Sequence, residues 1–255
     1  MNQIEKWEDL TLANNFIFQK YMSNKENCKK LLSEIFGRPI EKIEYHSLEK
    51  TIKEGFDAKG IRVDVYFKGD DRVYNVEMQT TKRELPKRSR YYHSMLDLST
   101  LESGESYKNI AESYVIFICT FDPLEKEYYR YDMSMCCTNV KNVKYDDGQH
   151  TIFLNTKGKY GEVSEYLKSF LKATDGVFDS TDISAKIENE INRVKTNNVW
   201  RDEYMFQEMH DIEMKEEGKE EGKIEVIKML LKKMSPEEII ELGFDKDLVE
   251  RATND

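Results

Sequence analysis

The chain has few of the residues that stabilise a fold through disulfide bonds or bound metal ions. Its 255 residues include four cysteines and four histidines, and neither set has the spacing of a structural zinc site. The longest apolar run, residues 115–119, is far too short to cross a membrane and is typical of a buried strand. The first residues lack the basic-then-apolar order of a secretory signal. We therefore expect a cytoplasmic chain with reduced cysteines, no structural zinc and no membrane span.

Charge is unevenly distributed along the chain. The net charge is −10, but residues 201–255 contribute −8 of it, so residues 1–200 carry only −2. Within them, residues 82–90 hold five basic side chains against one acidic one, a local charge of +4. Such a segment either supports a phosphate backbone or forms the solvated start of a helix. Charge alone does not separate these two interpretations.

Two short alternating runs, residues 61–67 and 73–79, flank a turn at Gly69-Asp70-Asp71. Side chains alternate along a strand, so this pattern predicts a hairpin with Asp64, Glu77 and Gln79 on one face. Hard divalent cations prefer carboxylate oxygens, and a magnesium ion held this way promotes phosphodiester hydrolysis. The alternative is an ordinary solvated hairpin face that happens to carry two acids.

The remaining periodicity predicts helices before, between and after a few strands. Residues 7–36 predict two helices, with Ser23 and Glu26 as a capping box for the second. Residues 84–103 predict a helix with one buried stripe, formed by Tyr91, Met95, Leu98 and Leu101. Further strands are predicted at residues 40–48, 113–121, 128–133 and 151–155. The order favours an α/β or α+β core with a mixed central sheet flanked by helices.

From residue 161 onward the pattern is helical. Residues 183–214 predict one long helix or a helical pair. An acidic repeat with glycine at every fourth residue occupies 216–223 and predicts either a solvated helix or a hinge. Ser235 is the predicted N-cap of a short helix beyond it. We expect a core domain at 1–180 and an acidic helical C-terminal extension at 181–255 with an oligomerisation or regulatory role.

Four segments together resemble the PD-(D/E)XK nucleases, and more closely the Rpn-type recombination-promoting nucleases, often described as transposases. They are Val63-Asp64-Val65-Tyr66, residues 74–79 (Tyr-Asn-Val-Glu-Met-Gln), residues 87–92 (Lys-Arg-Ser-Arg-Tyr-Tyr) and residues 114–123. The resemblance implies a restriction-endonuclease-like α/β core and a Mg²⁺-dependent DNA endonuclease linked to recombination and mobile elements, with Mn²⁺ as a substitute ion. It also implies that Asp64 and Glu77 bind the metal and that Gln79 stands where the motif usually has lysine.

The missing lysine charge has to come from elsewhere, and Arg88 is the first candidate. Arg88 and Tyr92 lie four residues apart and so share a helix face. The hypothesis assigns catalysis to Asp64, Glu77, Gln79 and Arg88. It assigns DNA binding to the basic segment and one tyrosine, namely Lys82, Arg83, Lys87, Arg88, Arg90 and Tyr92. Glu34 is a further possible ligand, although a surface glutamate is the simpler interpretation. His93 is interpreted as a surface or packed residue rather than a base.

Two functional hypotheses remain open on the sequence. The first is a metal-dependent DNA endonuclease that works as a homodimer, since residues 183–234 offer amphipathic helices with few evident intrachain partners. The second is a catalytically inactive module of the same fold that binds DNA or another protein, because a fold does not guarantee its chemistry.

Overall fold

The computed structural model describes residues 5–52, 61–69, 71–140, 143 and 145–254. These residues form two compact units, 5–197 and 198–254. The larger unit contains the sheet and the site discussed below, and the smaller one is helical. The domain boundary predicted at residue 180 stays a prediction.

The described strands of the larger unit form one mixed sheet. They are β1 (Tyr45–Ile52), β2 (Ile61–Gly69), β3 (Arg72–Gln79), β4 (Glu112–Cys119), β5 (Arg130–Met133) and β6 (Gln149–Asn155). Their order is β1-β2-β3-β4-β6-β5, with β3, β4 and β6 parallel to each other. The β1–β2, β2–β3 and β5–β6 pairs are antiparallel. The predicted hairpin of residues 61–79 is therefore confirmed, and so is the mixed sheet.

Helices cover both faces of this sheet. They are α1 (Asn15–Met22), α2 (Lys25–Phe36), α3 (Leu85–Leu98), α4 (Glu165–Thr174) and α5 (Asp182–Lys195). α3 packs on the face that carries Tyr66, Val115 and Phe117. On the opposite face Phe36 of α2 packs edge-on against Tyr74 and Tyr114. The arrangement confirms the predicted α/β core with a sheet between helical layers.

The cap of α2 differs from the prediction. Asn24, not Ser23, is the N-cap, and its side chain accepts a hydrogen bond from the backbone N–H of Glu26 at 3.0 Å. Ser23 instead ends α1, with its hydroxyl donating to the carbonyl of Lys20 at 2.6 Å. The connection between the two helices is so short that Ser23 caps the C-terminus of α1 and does not cap α2. Gly37 ends α2 as predicted, with a left-handed φ of 63°.

The predicted buried stripe of α3 is only partly confirmed: Met95 is buried, at 4% exposed, but the other three members are not. Tyr91 is 38% exposed and Leu98 is 52% exposed. The side chains that α3 buries are Leu85, Ser89, Tyr92, His93, Met95 and Leu96. The helix is therefore rotated relative to the apolar pattern, because two polar residues find hydrogen-bond partners in the interface. Periodicity of apolar residues cannot detect such partners.

The smaller unit consists of α6 (Asn198–Leu230), α7 (Pro236–Glu241) and α8 (Lys246–Asn254). α6 runs through the glycine repeat, so that segment is a solvated helix and not a hinge. The predicted cap of α7 is confirmed, since Ser235 and Glu238 form a complete capping box. A small apolar core closes the unit, formed by Ile227, Ile239, Leu248, Val249 and Ala252. Among the described residues, no helix is both long enough and apolar enough to pass through a membrane.

Candidate active site

The hairpin carries three polar side chains into the interface beneath α3. Asp64 lies on β2, and Glu77 and Gln79 lie on β3, all on the face that α3 covers. They are 9%, 2% and 7% exposed, respectively. This burial decides against the alternative of a solvated hairpin face. Carboxylates are almost never buried to this extent without a partner, so the two acids call for a compensating charge.

Each of the two carboxylates is held by the backbone of the neighbouring strand. The register of β2 and β3 runs from Gly69 opposite Arg72 to Val65 opposite Val76. One residue further, the N–H of Asp64 donates to Oε1 of Glu77 at 3.2 Å, and the N–H of Met78 donates to Oδ2 of Asp64 at 2.9 Å. The carboxylate oxygens thus accept hydrogen bonds from backbone N–H groups of the two strands. The positions of both acids are consequently set by the rigid sheet rather than by a loop.

Arg88 reaches this site from the first turns of α3. Its Nη1 donates to Oε1 of Gln79 at 2.6 Å. Its Nη2 donates to the hydroxyl of Tyr92 at 2.6 Å and lies 3.4 Å from Oε2 of Glu77. The Tyr92 hydroxyl also lies 3.4 Å from that oxygen. The guanidinium is therefore held between a carboxamide, a phenol and a carboxylate, and its side chain is 29% exposed.

The electrostatics of the site centre on Glu77. Burial, and to a lesser extent the neighbouring Asp64 carboxylate, raise the pKa of its carboxyl to about 8. The hydrogen bond from the Asp64 N–H and the Arg88 guanidinium act in the opposite direction. Burial and the Glu77 carboxylate also raise the pKa of the Tyr92 hydroxyl. The site is thus short of positive charge even with Arg88 present.

The donor set fits a hard divalent cation. Two carboxylates lie side by side, and each commits one oxygen to a backbone N–H. The described part of the chain holds no group of three or more His, Cys, Asp or Glu side chains suited to a metal. Magnesium ions are commonly bound through one or two carboxylates, with water and substrate phosphate as the other ligands. Asp64 and Glu77 match that pattern.

The predicted DNA-binding residues fall into two groups. Arg88 and Tyr92 belong to the site itself. Lys82 and Lys87 are exposed and form ion pairs with Glu125 at 2.8 Å and Glu84 at 3.0 Å. Exposed pairs of this kind contribute little to stability. The remaining members, Arg83 and Arg90, are exposed.

Glu34 is remote from the hairpin acids. It lies on α2, in the layer that covers the other face of the sheet, and accepts a hydrogen bond from Lys30 at 2.6 Å. His93 is buried at 4% exposed, which agrees with the interpretation as a packed residue. Sequence reasoning missed its hydrogen-bond partners Ser113 and Thr151. It also missed Ser89, which bonds to Thr151, although Ser89 and His93 stand four residues apart, directly after Arg88 and Tyr92.

Comparison with known proteins adds one finding to this geometry. A family model described as "PD-(D/E)XK nuclease family transposase" matches residues 12–172. That range contains all six described strands and the helices α1, α2 and α3. No curated protein and no solved structure matches the chain.

Proposed function

The chain belongs to the PD-(D/E)XK nuclease family transposases, and on that premise we propose that it is a metal-dependent DNA endonuclease. The observation that carries the proposal is the pair of buried carboxylates, Asp64 and Glu77, beside the guanidinium of Arg88. Nucleases of this family act on phosphodiester bonds, and their chemistry needs an ion at two such acids. Mg²⁺ is the proposed ion, with Mn²⁺ as a substitute.

Asp64 and Glu77 would hold the ion. A bound magnesium ion supplies a polarised phosphoryl oxygen and an activated water. A divalent cation held there would compensate the two neighbouring buried carboxylates, and Glu77, which burial keeps protonated near neutral pH, would release its proton to become a ligand. The sheet keeps both acids in place through the N–H groups of Asp64 and Met78. Little reorganisation is then needed when the cation enters.

Arg88 and Gln79 together take the place of the lysine that the family motif usually carries. A glutamine cannot supply charge, but its Oε1 accepts from Nη1 of Arg88 at 2.6 Å and so fixes the guanidinium at the site. A guanidinium is a permanent cation with a planar set of donors that matches two phosphate oxygens. Arg88 is therefore proposed to contact the scissile phosphate. Tyr92 holds its other nitrogen.

The basic surface next to the site is proposed to bind the DNA backbone. Lys82, Arg83, Lys87 and Arg90 are exposed, and phosphate groups would replace the glutamates that now pair with the two lysines. Neutralising phosphates releases counterions, so affinity should fall steeply with salt. Replacing Arg83 and Arg90 with glutamine should reduce that salt dependence.

The test is nicking of supercoiled plasmid by the purified chain with Mg²⁺ or Mn²⁺. Asp64→Asn and Glu77→Gln should each abolish cleavage, and both should weaken Mn²⁺ binding measured by calorimetry. Glu84→Gln, the same change at a carboxylate that is 73% exposed on the same segment, is the matched control and should retain both. Cleavage that survives Asp64→Asn would refute the proposal. Salt-dependent DNA binding without cleavage under any divalent cation would favour the inactive module.

The C-terminal extension, residues 181–255, is proposed to mediate homodimerisation or to regulate the site. Its acidic charge motivates the regulatory variant, in which it competes with DNA for the basic surface. Deleting the chain from Gly218 onward should then raise DNA affinity, whereas unchanged affinity would remove this idea. A monomer in light scattering would contradict the homodimer. The cytoplasmic location stays a prediction.

A further inference from the structure

The interface between α3 and the sheet contains a hydrogen-bonded group of four buried polar side chains that the proposed chemistry does not use. They are Ser89 and His93 of α3, Ser113 of β4 and Thr151 of β6, here called the His93 cluster. Each is between 1% and 8% exposed. The same interface also contains a cluster of buried apolar residues that includes Met95, Leu96 and Phe153. A polar cluster inside an apolar interface is expensive unless every member is paired.

The members of the His93 cluster pair with one another across three elements. His93 Nδ1 and Ser113 Oγ are 2.8 Å apart, and His93 Nε2 and Thr151 Oγ1 are 3.1 Å apart. The Ser89 hydroxyl also bonds to the Thr151 hydroxyl. The imidazole of His93 therefore connects α3 to the neighbouring parallel strands β4 and β6. Ser89 of the same helix adds a further bond to β6.

The imidazole is suited to this purpose in its neutral form. The pKa of His93 is lowered to about 4, chiefly by burial; nearby Asp147 opposes this shift and His150 adds to it. A neutral imidazole has one donor and one acceptor, and a hydroxyl offers both. All bonds of the cluster can thus be satisfied at once without a buried charge.

Apolar packing alone would leave the rotation of α3 loosely defined, because the hydrophobic effect is non-directional. Rotation matters here because the functional residues lie near the helix circumference. With a helix radius of about 6 Å, a rotation of roughly 10° displaces a side chain by about 1 Å. Arg88 holds Gln79 and Tyr92 at 2.6 Å each. A shift of that size would lengthen the Arg88–Gln79 contact beyond hydrogen-bond range, whereas Tyr92 lies on the same helix and would move with Arg88.

The two sets of residues are offset by one position along the helix. Ser89 directly follows Arg88, and His93 directly follows Tyr92. One stripe of α3 thus faces the strands β4 and β6, while the adjacent stripe faces Glu77 and Gln79. We propose that His93 is a positioning residue that sets the rotation of α3 and thereby places the Arg88 guanidinium in the active site. This inference rests on the function proposed above for the site.

A double-mutant cycle tests the inference. His93→Leu keeps the bulk but removes both hydrogen bonds, and it should lower the nicking rate between about 10-fold and 100-fold. In an Arg88→Ala background it should have no further effect, since it acts through Arg88. Met95→Ala is the control, because it loosens the same interface without touching the His93 cluster. Its effect should be equal in both backgrounds.

An equal loss from His93→Leu with and without Arg88 would overturn the proposal and leave His93 a purely structural residue. His93→Gln, which can still donate to or accept from Thr151, should recover part of the rate. If His93→Leu fails to fold, Ser113→Ala removes the same bond from the sheet side and should act in the same direction.

A second readout does not depend on cleavage. The NMR resonances of the Arg88 guanidinium, assigned by their loss in Arg88→Lys, should shift and broaden in His93→Leu but stay unchanged in Met95→Ala. If the chain does not cleave DNA, the proposed function is refuted, but the NMR measurement still tests whether His93 positions Arg88. Unchanged Arg88 resonances in both His93→Leu and Ser113→Ala would refute the positioning role.

Discussion

Glu77→Gln should make the metal-free protein more stable at pH 8, although it removes a proposed metal ligand. Glu77 is 2% exposed beside the Asp64 carboxylate, and its pKa is raised from near 4.5 to about 8, chiefly by burial. The folded chain therefore keeps a proton on this carboxyl that the unfolded chain has already released. Stability falls as pH rises through this window, because the unfolded state binds fewer protons there.

The magnitude follows from the width of the window. Each pH unit between the two pKa values costs about 1.4 kcal/mol of unfolding free energy. From pH 5 to pH 8 the loss from Glu77 is roughly 3–4 kcal/mol. Glutamine has the same shape and keeps an oxygen that accepts from the Asp64 N–H. The variant should consequently lose this pH dependence while retaining the packing of the site.

The assay is urea denaturation of both proteins in EDTA at pH 5, 6, 7 and 8. The difference between their unfolding free energies should grow with pH in favour of Glu77→Gln, and titrating groups remote from Glu77 cancel in that difference. Glu84→Gln, at an exposed carboxylate, should show no such trend. Adding Mg²⁺ at pH 8 should stabilise the wild type, since a ligand that binds the folded state stabilises it, but not the variant. Parallel pH profiles of wild type and Glu77→Gln would refute the reasoning.

The remaining predictions concern the framework. Gly158→Ala should destabilise the larger unit by about 1–3 kcal/mol, because the new Cβ would lie 2.5 Å from Cα of Tyr129. Gly218→Ala should instead stabilise α6 by about 0.5–1 kcal/mol, because no atom lies within 4 Å of the new Cβ. Thermal denaturation measures both, and equal signs would contradict the packing argument. Ser235→Ala removes the side-chain acceptor of the Glu238 N–H and should cost about 1 kcal/mol. Hydrogen exchange in α7 measures that loss, and unchanged protection there would show that the cap is dispensable.

Local geometry could be predicted wherever neighbouring residues determine it. Alternation along a strand was sufficient to put Asp64, Glu77 and Gln79 on one face, and a spacing of four was sufficient to put Arg88 and Tyr92 on one side of a helix. Family resemblance in those same residues is confirmed by the match over residues 12–172. The catalytic and DNA-binding roles assigned to these side chains stay predictions.

The errors arose where a choice depended on a partner distant in sequence or on competition between neighbours. The stripe through Tyr91 and Leu98 has helical spacing as regular as that of the stripe that is buried. α3 instead faces the sheet with the stripe that contains His93, because His93 bonds to Ser113 and Thr151. Those partners lie 20 and 58 residues away. At the start of α2, Ser23 and Asn24 are both suitable N-cap residues. Asn24 takes this position because the turn is short and Ser23 already ends α1.

The chain by itself determined the type of site: two acids and a carboxamide on a hairpin, with a basic helix following. Only the tertiary structure decided that this face is buried, that Gln79 binds Arg88, and that the Glu77 carboxyl holds its proton to about pH 8. The physical reason is that side-chain direction is a local property of the backbone. Burial and electrostatic environment depend on which other segments pack against it.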